Sequence, residues 1–554
     1  MNRLSFRTQA LALAGTILLL GLLSSAVWLA VDSGPVRAEA PASAPVAFGG
    51  NLRYYSAEPD RLDPALVWQA NEVRIVAQIF EGLVRLDDDL IPQPALASSW
   101  SLSADGSVYT FTLGTATFSN GRLVVAGDVV YSIMRAISPT IDGGGPATYA
   151  GMLFDIQGAQ EYNEGNTSVT VGVQALDQAS VRFDLVGTVP PGVFLKKLSL
   201  PIADVVPAEV IAAGGPEWWR DPGHCVGTGP FKLAEWVEGD HLSLVPYGLH
   251  HAGPPLLRHV EARFPADEAA ALEAYRQNQI DLFEPSASQV VTITADPILV
   301  SQFITKAGTC TYWSILDNQQ EPFSSTLGMK LRQALNYAVD KTDFISVALD
   351  GIGAPARGIL PPEMYGYNPA LEGLDFNVVS ATQLLAASGY TGTPEIVFRH
   401  NDDPLQLRRA ENLRDQFLDN LGIGIILSTT ATSYQMRIHG WCADYPDPSN
   451  WFPYLLRSDG SFNRTHYNNP VVDALIDQAA TTLTETERLD LYHQAEQMAV
   501  SEAAELPLWH SQWQLLRKPW VSDEVVLDMQ WSQPFSDVTM AVQAVYLPLI
   551  LKGD

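Results

Sequence analysis

One stretch of the chain decides how the rest is interpreted: Gly440-Trp441-Cys442-Ala443-Asp444-Tyr445-Pro446-Asp447-Pro448. Proline fixes φ and lacks a backbone N–H, so two prolines here exclude a helix and indicate an extended segment that enters a turn. An acid between aromatic residues and a cysteine is unusual for solvated surface. If Asp444 is enclosed, its charge needs an internal arginine or lysine, or the cation of a ligand, because an unpaired buried carboxylate is costly. Residue chemistry alone favours the internal partner and leaves the ligand open.

Length and composition limit the classes of protein to consider. The 554 residues exceed what one hydrophobic core can use and suggest about three or four domains. Hydrophobic residues make up 47% and charged residues 17%, as in globular proteins. The net charge of −29 argues against nucleic acid as a partner, because phosphates require a basic face.

No motif for catalysis or metal binding is visible in the sequence. The patterns HExxH, GxSxG and CxxC are missing from the chain. Asp444 and Asp447 could be a glycosidase pair, but three residues apart in a proline-broken turn they have no evident geometry for it. The pair His250-His251 and the acids Asp87-Asp88-Asp89 occur in turn-like contexts and are predicted to be solvated. We therefore predict no enzyme, no metal and no cofactor, and expect Asp447 to brace the turn.

The N-terminal segment is predicted to be an export address. Two arginines precede an uncharged apolar run at residues 10–31, and Ala38-Glu39-Ala40 has the small-residue pattern of a signal-peptidase site before a Pro/Ala linker. The run is also long enough to span a bilayer. Residues 1–48 are therefore either a signal peptide or an N-terminal membrane anchor with a linker. Both place the rest of the chain outside the cytoplasm, in the periplasm or on the outer face of the cytoplasmic membrane, and with no cysteine before Cys225 a lipid anchor is not expected.

Three cysteines remain in the exported part: Cys225, Cys310 and Cys442. An exported protein can keep a disulfide, and an odd count leaves one thiol over. Their spacing does not give the pairing.

Periodicity predicts alternating helices and strands. Apolar residues at near-helical spacing predict a helix over 72–86, and a long helical pattern covers 330–350. A hairpin turn at Ser103-Ala104-Asp105-Gly106 precedes an alternating strand at 108–113, and Asp128 lies near the start of another helix. Two βαβ units are predicted at 259–282 and 395–428.

These segments, taken in order, resemble a known family. The quoted motifs are Leu62-Asp63-Pro64, IFEGLV (79–84), PALASSW (94–100), ADGSVYTFTL (104–113), FSNGRLVVAGDVVYSIMRA (118–136), VGTGPFKL (226–233), QALNYAVDK (333–341) and residues 492–520. Their number and order resemble the peptide-binding proteins of bacterial ABC importers, the family-5 extracellular solute-binding proteins. The resemblance covers nearly all of the mature chain.

The resemblance implies the fold and its domains. The fold would be α/β and type II periplasmic-binding-protein-like, with two α/β lobes around a cleft and a third, β-rich domain. Lobe 1 would be discontinuous and would comprise residues 49–75, 190–309 and 515–554. The β-rich domain would comprise residues 76–189, and lobe 2 residues 310–514. A hinge would connect the lobes where the chain crosses between them.

Two local segments resemble the oligopeptide-binding branch of the family. They are Trp441–Tyr445 and Thr309–Tyr312. This resemblance implies that Cys310 pairs with Cys442 and that Cys225 remains a free, buried thiol. It also implies that Asp444 holds the α-ammonium of a peptide, which reverses the preference for an internal ion pair.

The resemblance extends to other site residues and to partners. Trp68 stands where the branch has an acid, which favours apolar or stacked ligand side chains. Arg399 and His400 are candidates to meet the ligand carboxylate, with Arg408 and His439 as further candidates. The implied partners are a peptide and the permease subunits of an ABC transporter, with the protein itself a monomer. The predicted ligand-binding residues are Gly440, Trp441, Cys442, Asp444, Trp68, Ala70, His400 and Arg399.

Two alternatives and one departure stay open from the sequence. The same fold could bind another solute, such as an oligosaccharide or a metal chelate, or could serve as a surface sensory or adhesion module. The segment 426–440 is shorter than the family pattern and lacks a helix before the strand that carries Trp441. That departure puts the length of the ligand in doubt.

Overall fold

The computed structural model describes residues 49–523 and 535–540. The predicted export segment, residues 1–48, lies outside the described residues. Among the residues that are described, no helix is long and apolar enough to cross a membrane.

Apolar alternation forms the strands where the sequence predicts it. In the strand Val108–Leu113, Tyr109, Phe111 and Leu113 are buried, while the residues between them are not. The turn before it closes through a hydrogen bond from the Gly106 N–H to the Ser103 carbonyl, 2.9 Å. The strands are β1 (Asn51–Tyr55), β2 (Val84–Leu86), β3 (Pro92–Pro94), β4 (Ala97–Leu102), β5 (Val108–Leu113), β6 (Val173–Ala175), β7 (Ser180–Asp184), β8 (Phe231–Val237), β9 (His241–Pro246), β10 (His259–Arg263), β11 (Leu282–Phe283), β12 (Phe303–Leu316), β13 (Ala354–Pro355), β14 (Ile396–Arg399), β15 (Ile425–Ser428), β16 (Met436–Cys442) and β17 (Leu506–Arg517).

Acidic side chains begin several of the helices. Asp267 accepts a hydrogen bond from the Ala270 N–H at 2.8 Å, and Asp128 accepts one from the Val125 N–H at 2.9 Å. The helices are α1 (Ala70–Ile79), α2 (Ala126–Ala136), α3 (Ala159–Asn163), α4 (Pro191–Lys197), α5 (Ala208–Gly214), α6 (Glu268–Arg276), α7 (Ala287–Thr294), α8 (Pro297–Val300), α9 (Ser325–Ala338), α10 (Lys341–Ala348), α11 (Val378–Ser388), α12 (Pro404–Leu421), α13 (Phe452–Leu455), α14 (Pro470–Ala479) and α15 (Glu485–Ser501).

Two of the predicted helices are wrong in extent. The helix predicted over 72–86 begins at Ala70 and ends at Ile79, because Phe80 adopts an extended backbone conformation, φ −120° and ψ 157°. The chain then continues as β2. The helix predicted over 330–350 is two helices, α9 and α10, because Asp340 caps the second one by accepting from the Thr342 and Asp343 N–H groups at 2.9 and 3.1 Å.

The main sheet contains strands from two α/β parts of the chain: the β1 part, with β1 and β8–β11, and the β14–β16 part, with β14, β15 and β16. Its order is β15-β14-β16-β12-β17-β11-β1-β10-β9-β8, with β13 paired to β17. β14-α12-β15 and β10-α6-β11 are the two predicted βαβ units, and in the second β1 lies between the parallel strands β10 and β11. β12 and β17 pair with each other, and β12 also pairs with β16 while β17 also pairs with β11. These two strands therefore connect the parts.

A separate sheet, β4-β5-β7-β6, lies within the interval 76–189 that the sequence assigns to a β-rich domain. Its core contains Phe111, Phe183 and Phe194, and the same apolar cluster continues into Trp451 and Tyr492 of the later chain. The smaller sheet thus packs against the region that follows the stretch 440–448. The division of the chain into lobes stays a prediction.

Candidate functional site

The stretch 440–448 begins as the end of β16 and continues as a turn. β16 lies antiparallel to β12, and Cys442 stands directly opposite Cys310 in this register. The two cysteines form a disulfide, and Cys225 is free and buried, which confirms both predictions. The disulfide fixes the strand end that carries Asp444 two residues further on.

Asp447 holds the turn after the strand. Arg488 donates to both carboxylate oxygens of Asp447 at 2.8 Å, and Lys196 donates to one of them at 3.2 Å. The side chains of Asp447 and Arg488 are completely buried. Burial opposes ionisation, but the charges of Lys196 and Arg488 hold the pKa of Asp447 below its ordinary value. Asp447 also caps the turn by accepting from the Ser449 N–H at 3.0 Å, so the predicted bracing role is present.

Asp444 accepts hydrogen bonds from two regions of the chain. Asn450 donates to one carboxylate oxygen at 3.1 Å, and the Tyr149 hydroxyl donates to the other at 3.3 Å. The Asp444 N–H in turn donates to the Asn450 side-chain oxygen at 2.8 Å. Burial raises the pKa of Asp444, and the two hydrogen bonds oppose that rise. The carboxylate is thus positioned and partly desolvated.

The segment after Leu62-Asp63-Pro64 forms the facing wall. Asp63 is completely buried, accepts from the Arg135 guanidinium at both oxygens, and accepts from the Trp218 indole N–H at 3.3 Å. Glu72 accepts from the backbone N–H groups of Trp68 and Gln69 at 3.1 and 3.2 Å. These bonds fix the backbone between the two acids, where the side chain of Trp68 remains 55% exposed.

A pocket of about 390 Å³ lies between this wall and Asp444. Three of the predicted site residues, Asp444, Trp68 and Ala70, line it, although Asp444 is far in sequence from the other two. The pocket is lined by Val67, Trp68, Gln69, Ala70, Asn71, Val73, Tyr149, Leu200, Pro201, Ile202 and Asp444. Its walls are mostly apolar, with one carboxylate, which suits a ligand that carries both an apolar part and a cation.

The other predicted residues of the stretch lie beside the pocket, not in its lining. Gly440 packs on the Tyr312 ring, where an added Cβ would lie 2.4 Å from a ring carbon. Trp441 stacks on Tyr454 with 5.9 Å between ring centroids, and Cys442 is in the disulfide. β14 pairs with β16 only at Met436 among the described residues. Beyond that residue, β16 therefore presents a strand edge.

The predicted carboxylate-binding candidates lie elsewhere on the β14–β16 part. Arg399 donates to the Ala431 carbonyl at 3.0 Å, and His400, 8% exposed, contacts the Asn401 carbonyl at 2.8 Å. Arg408 pairs with Asp350 on the surface, 2.7 Å apart. Burial lowers the pKa of His439, and the positive charges of two nearby arginines lower it further. None of these four residues lines the pocket.

Sequence reasoning missed part of the site. Tyr149 and the segment Leu200-Pro201-Ile202 line the pocket, and Asn450 orients Asp444. Tyr149 follows a glycine-rich turn and the segment lies at a short 3₁₀ turn, so neither has a periodic pattern. For these residues the sequence offered one signal: Asn450 lies in the turn directly after Asp447, close in sequence to Asp444.

The two α/β parts, the strands that connect them and the pocket with one positioned carboxylate define a solute-binding receptor. The chain belongs to the bacterial extracellular solute-binding proteins, family 5, whose model, described as "Bacterial extracellular solute-binding proteins, family 5 Middle", matches residues 92–463. This confirms the resemblance seen in the sequence.

Relatives and solved structures agree over most of the chain. The periplasmic oligopeptide-binding protein OppA of Escherichia coli K12 is 28% identical over 90% of this chain and 94% of its own. The oligopeptide-binding protein OppA of Bacillus subtilis 168 is 26% identical over 84% and 87%. The unliganded open form of the murein tripeptide-binding protein MppA has a TM-score of 0.81 at 24% identity, with 89% of this chain and 98% of that chain covered. The type II binding-protein fold predicted from the sequence is therefore confirmed.

Proposed function

We propose that this protein captures peptides outside the cytoplasm and delivers them to the permease subunits of an ABC transporter. The observation that carries the proposal is Asp444, a positioned, partly desolvated carboxylate in the lining of the pocket. The names of the relatives support it, since several are oligopeptide- or dipeptide-binding proteins. Transport needs capture and release, so no catalytic group is required.

The chemistry of a peptide matches the two kinds of grip available here. Every peptide with a free N-terminus has an α-ammonium, and a carboxylate removed from water binds it through charge-assisted hydrogen bonds. Every peptide also has a backbone, which can pair with a strand edge such as that of β16. Trp68, exposed at the facing wall, offers an apolar surface to a ligand side chain.

Binding by Asp444 should depend on pH in a defined direction. The ammonium binds the ionised carboxylate, and burial raises the pKa of that carboxyl in the free protein. Peptide affinity should therefore fall as the pH falls through this raised pKa, since protonation then competes with the ligand.

The proposal is tested by calorimetry, which compares the binding of one peptide by wild type and by Asp444→Asn. The peptide is used in two forms, one with a free N-terminus and one with an acetylated N-terminus. The substitution keeps the shape and removes the charge, so we expect it to cost about 2–5 kcal/mol of binding free energy. Acetylation should weaken wild-type binding to a similar degree and should affect the variant much less. The melting temperature of the ligand-free protein should stay nearly unchanged or rise slightly, because a partly desolvated charge is removed.

The matched control is Asp415→Asn, because Asp415 is a surface acid whose side chain is 57% exposed. It should change neither affinity nor stability. Equal binding of both peptides by wild type, or loss of stability in place of affinity in Asp444→Asn, would assign Asp444 to an internal role.

The class of solute is the second quantity to measure. Relatives include proteins named for heme and, with the word probable, deoxycholate, so the family's pocket admits other ligands. Native mass spectrometry of the protein purified from its own host should detect bound peptides. A bound oligosaccharide, chelate or steroid would favour the second candidate, binding of another solute by the same fold.

The proposal extends to location and export. The mature chain would act in the periplasm or on the outer face of the cytoplasmic membrane, after residues 1–48 have directed export. Whether these residues are cleaved or stay as an anchor is decided by N-terminal sequencing of the exported protein.

A further inference from the structure

A carboxylate and two imidazoles meet beyond the C-terminal end of α1, whereas the pocket that contains Asp444 is lined by residues at the N-terminal end of that helix. Glu81 follows α1 and is 11% exposed, while His250 and His251, in the turn after β9, are 6% and 18% exposed at their side chains. The sequence prediction of a solvated side chain is therefore wrong for His250, which contacts Glu81, 169 positions earlier in the chain, whereas His251 is an exposed residue, as predicted. The three residues share none of the lining of the pocket that contains Asp444.

The distances suit a shared ligand of the three side chains. Glu81 Oε1 lies 3.2 Å from His250 Nε2, and Glu81 Oε2 lies 3.0 Å from His251 Nε2. One donor atom from each residue can be chosen so that all lie within 4.8 Å of one another. In a tetrahedral zinc site with bonds of about 2.0–2.1 Å, neighbouring donor atoms lie about 3.3 Å apart.

The hydrogen bond of His250 decides where its lone pair points. His250 Nδ1 lies 3.1 Å from the Gly253 carbonyl, which can only accept, so Nδ1 carries the proton. In the neutral ring, Nε2 then presents a lone pair toward the Glu81 carboxylate. Two acceptors that face each other require a cation between them, which is either a second proton on His250 or a metal ion.

The turn holds this arrangement before any ion binds. The His250 N–H donates to the Tyr247 carbonyl at 3.1 Å, and the Gly253 N–H donates to the His250 carbonyl at 2.9 Å. Gly253 has φ of +102°, a conformation that favours glycine and that returns its carbonyl to the His250 ring. Tyr247 itself is buried and donates to the Phe118 carbonyl at 2.9 Å. The site is therefore preorganised from elements distant in sequence.

We propose that Glu81, His250 and His251 bind a divalent transition metal ion of the zinc class. Two imidazoles and one carboxylate are a donor set that such ions prefer, and three protein ligands leave room for water as a fourth. The cluster borders a cavity of about 940 Å³, which gives an ion a path from solvent. Acids also line that cavity and attract cations: Asp87, Asp88, Asp523 and Asp537.

Protons compete with the metal at this site. Burial lowers the pKa of His250, but its hydrogen bond to Glu81 and the charge of Glu81 outweigh burial, so that this pKa is raised overall. Burial in turn raises the pKa of Glu81, but the hydrogen bonds and charges of His250 and His251 outweigh it, so that this pKa is lowered. The other charged groups nearby are Arg85, the acids in the cavity and Asp204. Burial raises the pKa of Asp204 well above its ordinary value, and the charge of Glu81 adds to this rise. Metal affinity should thus decrease as the pH falls, since the metal needs neutral imidazole.

The test is a calorimetric titration of the chelator-stripped full chain with zinc chloride at about pH 7 and again about one unit lower. Wild type should bind one zinc ion, more weakly at the lower pH. The variant that combines His250→Gln and His251→Gln should bind at least about 100-fold more weakly. The matched control is His224→Gln, because His224 also lies 2.8 Å from a carboxylate, that of Asp221, but is 37% exposed. It should bind zinc as wild type does.

Two outcomes would overturn the proposal. One is a double variant that binds zinc as tightly as wild type, and the other is a wild type that binds no zinc. If the double variant does not fold, the visible absorption of Co²⁺ in wild type decides, because a site with nitrogen ligands must give a ligand-field spectrum that zinc removes. Peptide binding is measured in parallel and should be unchanged in both variants, so that failure here is distinct from failure of the proposed peptide site.

Discussion

Asp444 and Asp447 are three residues apart, yet their pKa values are shifted in opposite directions. Lys196 and Arg488 lower the pKa of Asp447, whereas burial raises the pKa of Asp444 against the hydrogen bonds from Asn450 and Tyr149. Residue chemistry considered an internal ion pair for Asp444, and the structure has a buried ion pair at Asp447, the residue that was expected to brace the turn. The buried ion pair of Asp447 therefore fixes the turn that carries Asp444, the residue proposed to bind the ligand.

At the same scale, we expect Asp447→Asn to destabilise the protein by about 3–5 kcal/mol, because it leaves Lys196 and Arg488 buried without their partner. The measurement is urea unfolding, with Asp415→Asn as the surface control. Since the folded pKa of Asp447 is below its ordinary value, its contribution is complete above that value and is lost as the pH falls toward the folded pKa. The difference between variant and wild type should therefore shrink in acid. A constant difference at all pH values would argue against the ion pair as its cause.

At the scale of elements, the sequence predicted what periodicity and local chemistry control. The βαβ units and the hairpin at residues 103–106 follow from patterns within one short window. The split between α9 and α10 was missed because apolar spacing continues across Asp340, and only the cap reveals the break. Tyr149 and the cluster of Glu81 with His250 were missed because their contacts join segments far apart in the chain. The wall with Trp68 and Asp444 was found through family resemblance, since no local pattern brings them together.

The pairing of β12 with β16 gives the next prediction, for the double variant Cys310→Ser with Cys442→Ser. The disulfide closes a loop with a sequence separation of 132 residues. On the chain-entropy account, its loss should cost about 4–5 kcal/mol of stability, and less if the reduced chain keeps structure. Denaturant unfolding of oxidised protein measures this. The control is Cys225→Ala, which removes a buried thiol that is in no disulfide.

The two outcomes for the cysteine variants are distinguishable. The double variant should also lose some peptide affinity, because the strand end that positions Asp444 is no longer tied to β12. Cys225→Ala should keep the affinity of wild type. A non-reducing peptide map that places Cys225 in a disulfide would contradict the assignment.

At the scale of the whole molecule, β12 and β17 connect the two α/β parts, and both strands are long and paired to each other. A pair of adjacent connections favours motion about one axis, which is how closure around a ligand occurs in two-lobed proteins. Lys196 and Asp447, 251 positions apart in sequence, also join the region of α4 to the turn after β16. This ion pair joins the two segments that carry Leu200-Pro201-Ile202 and Asp444, which both line the pocket.

The last prediction concerns where the folded body begins. The described residues begin at Gly49, and β1 lies between β10 and β11 in the main sheet. The Arg258 N–H donates to the Gly50 carbonyl at 3.0 Å, so the contacts of the body start just before β1. A chain that starts at Gly49 should melt cooperatively and bind peptide as the exported protein does. A chain that starts at Ala57 lacks β1, which leaves β10 and β11 without the strand between them, and should lose the cooperative transition. Calorimetric melting of both chains decides, and a non-cooperative transition in the longer one would show that residues before Gly49 belong to the fold.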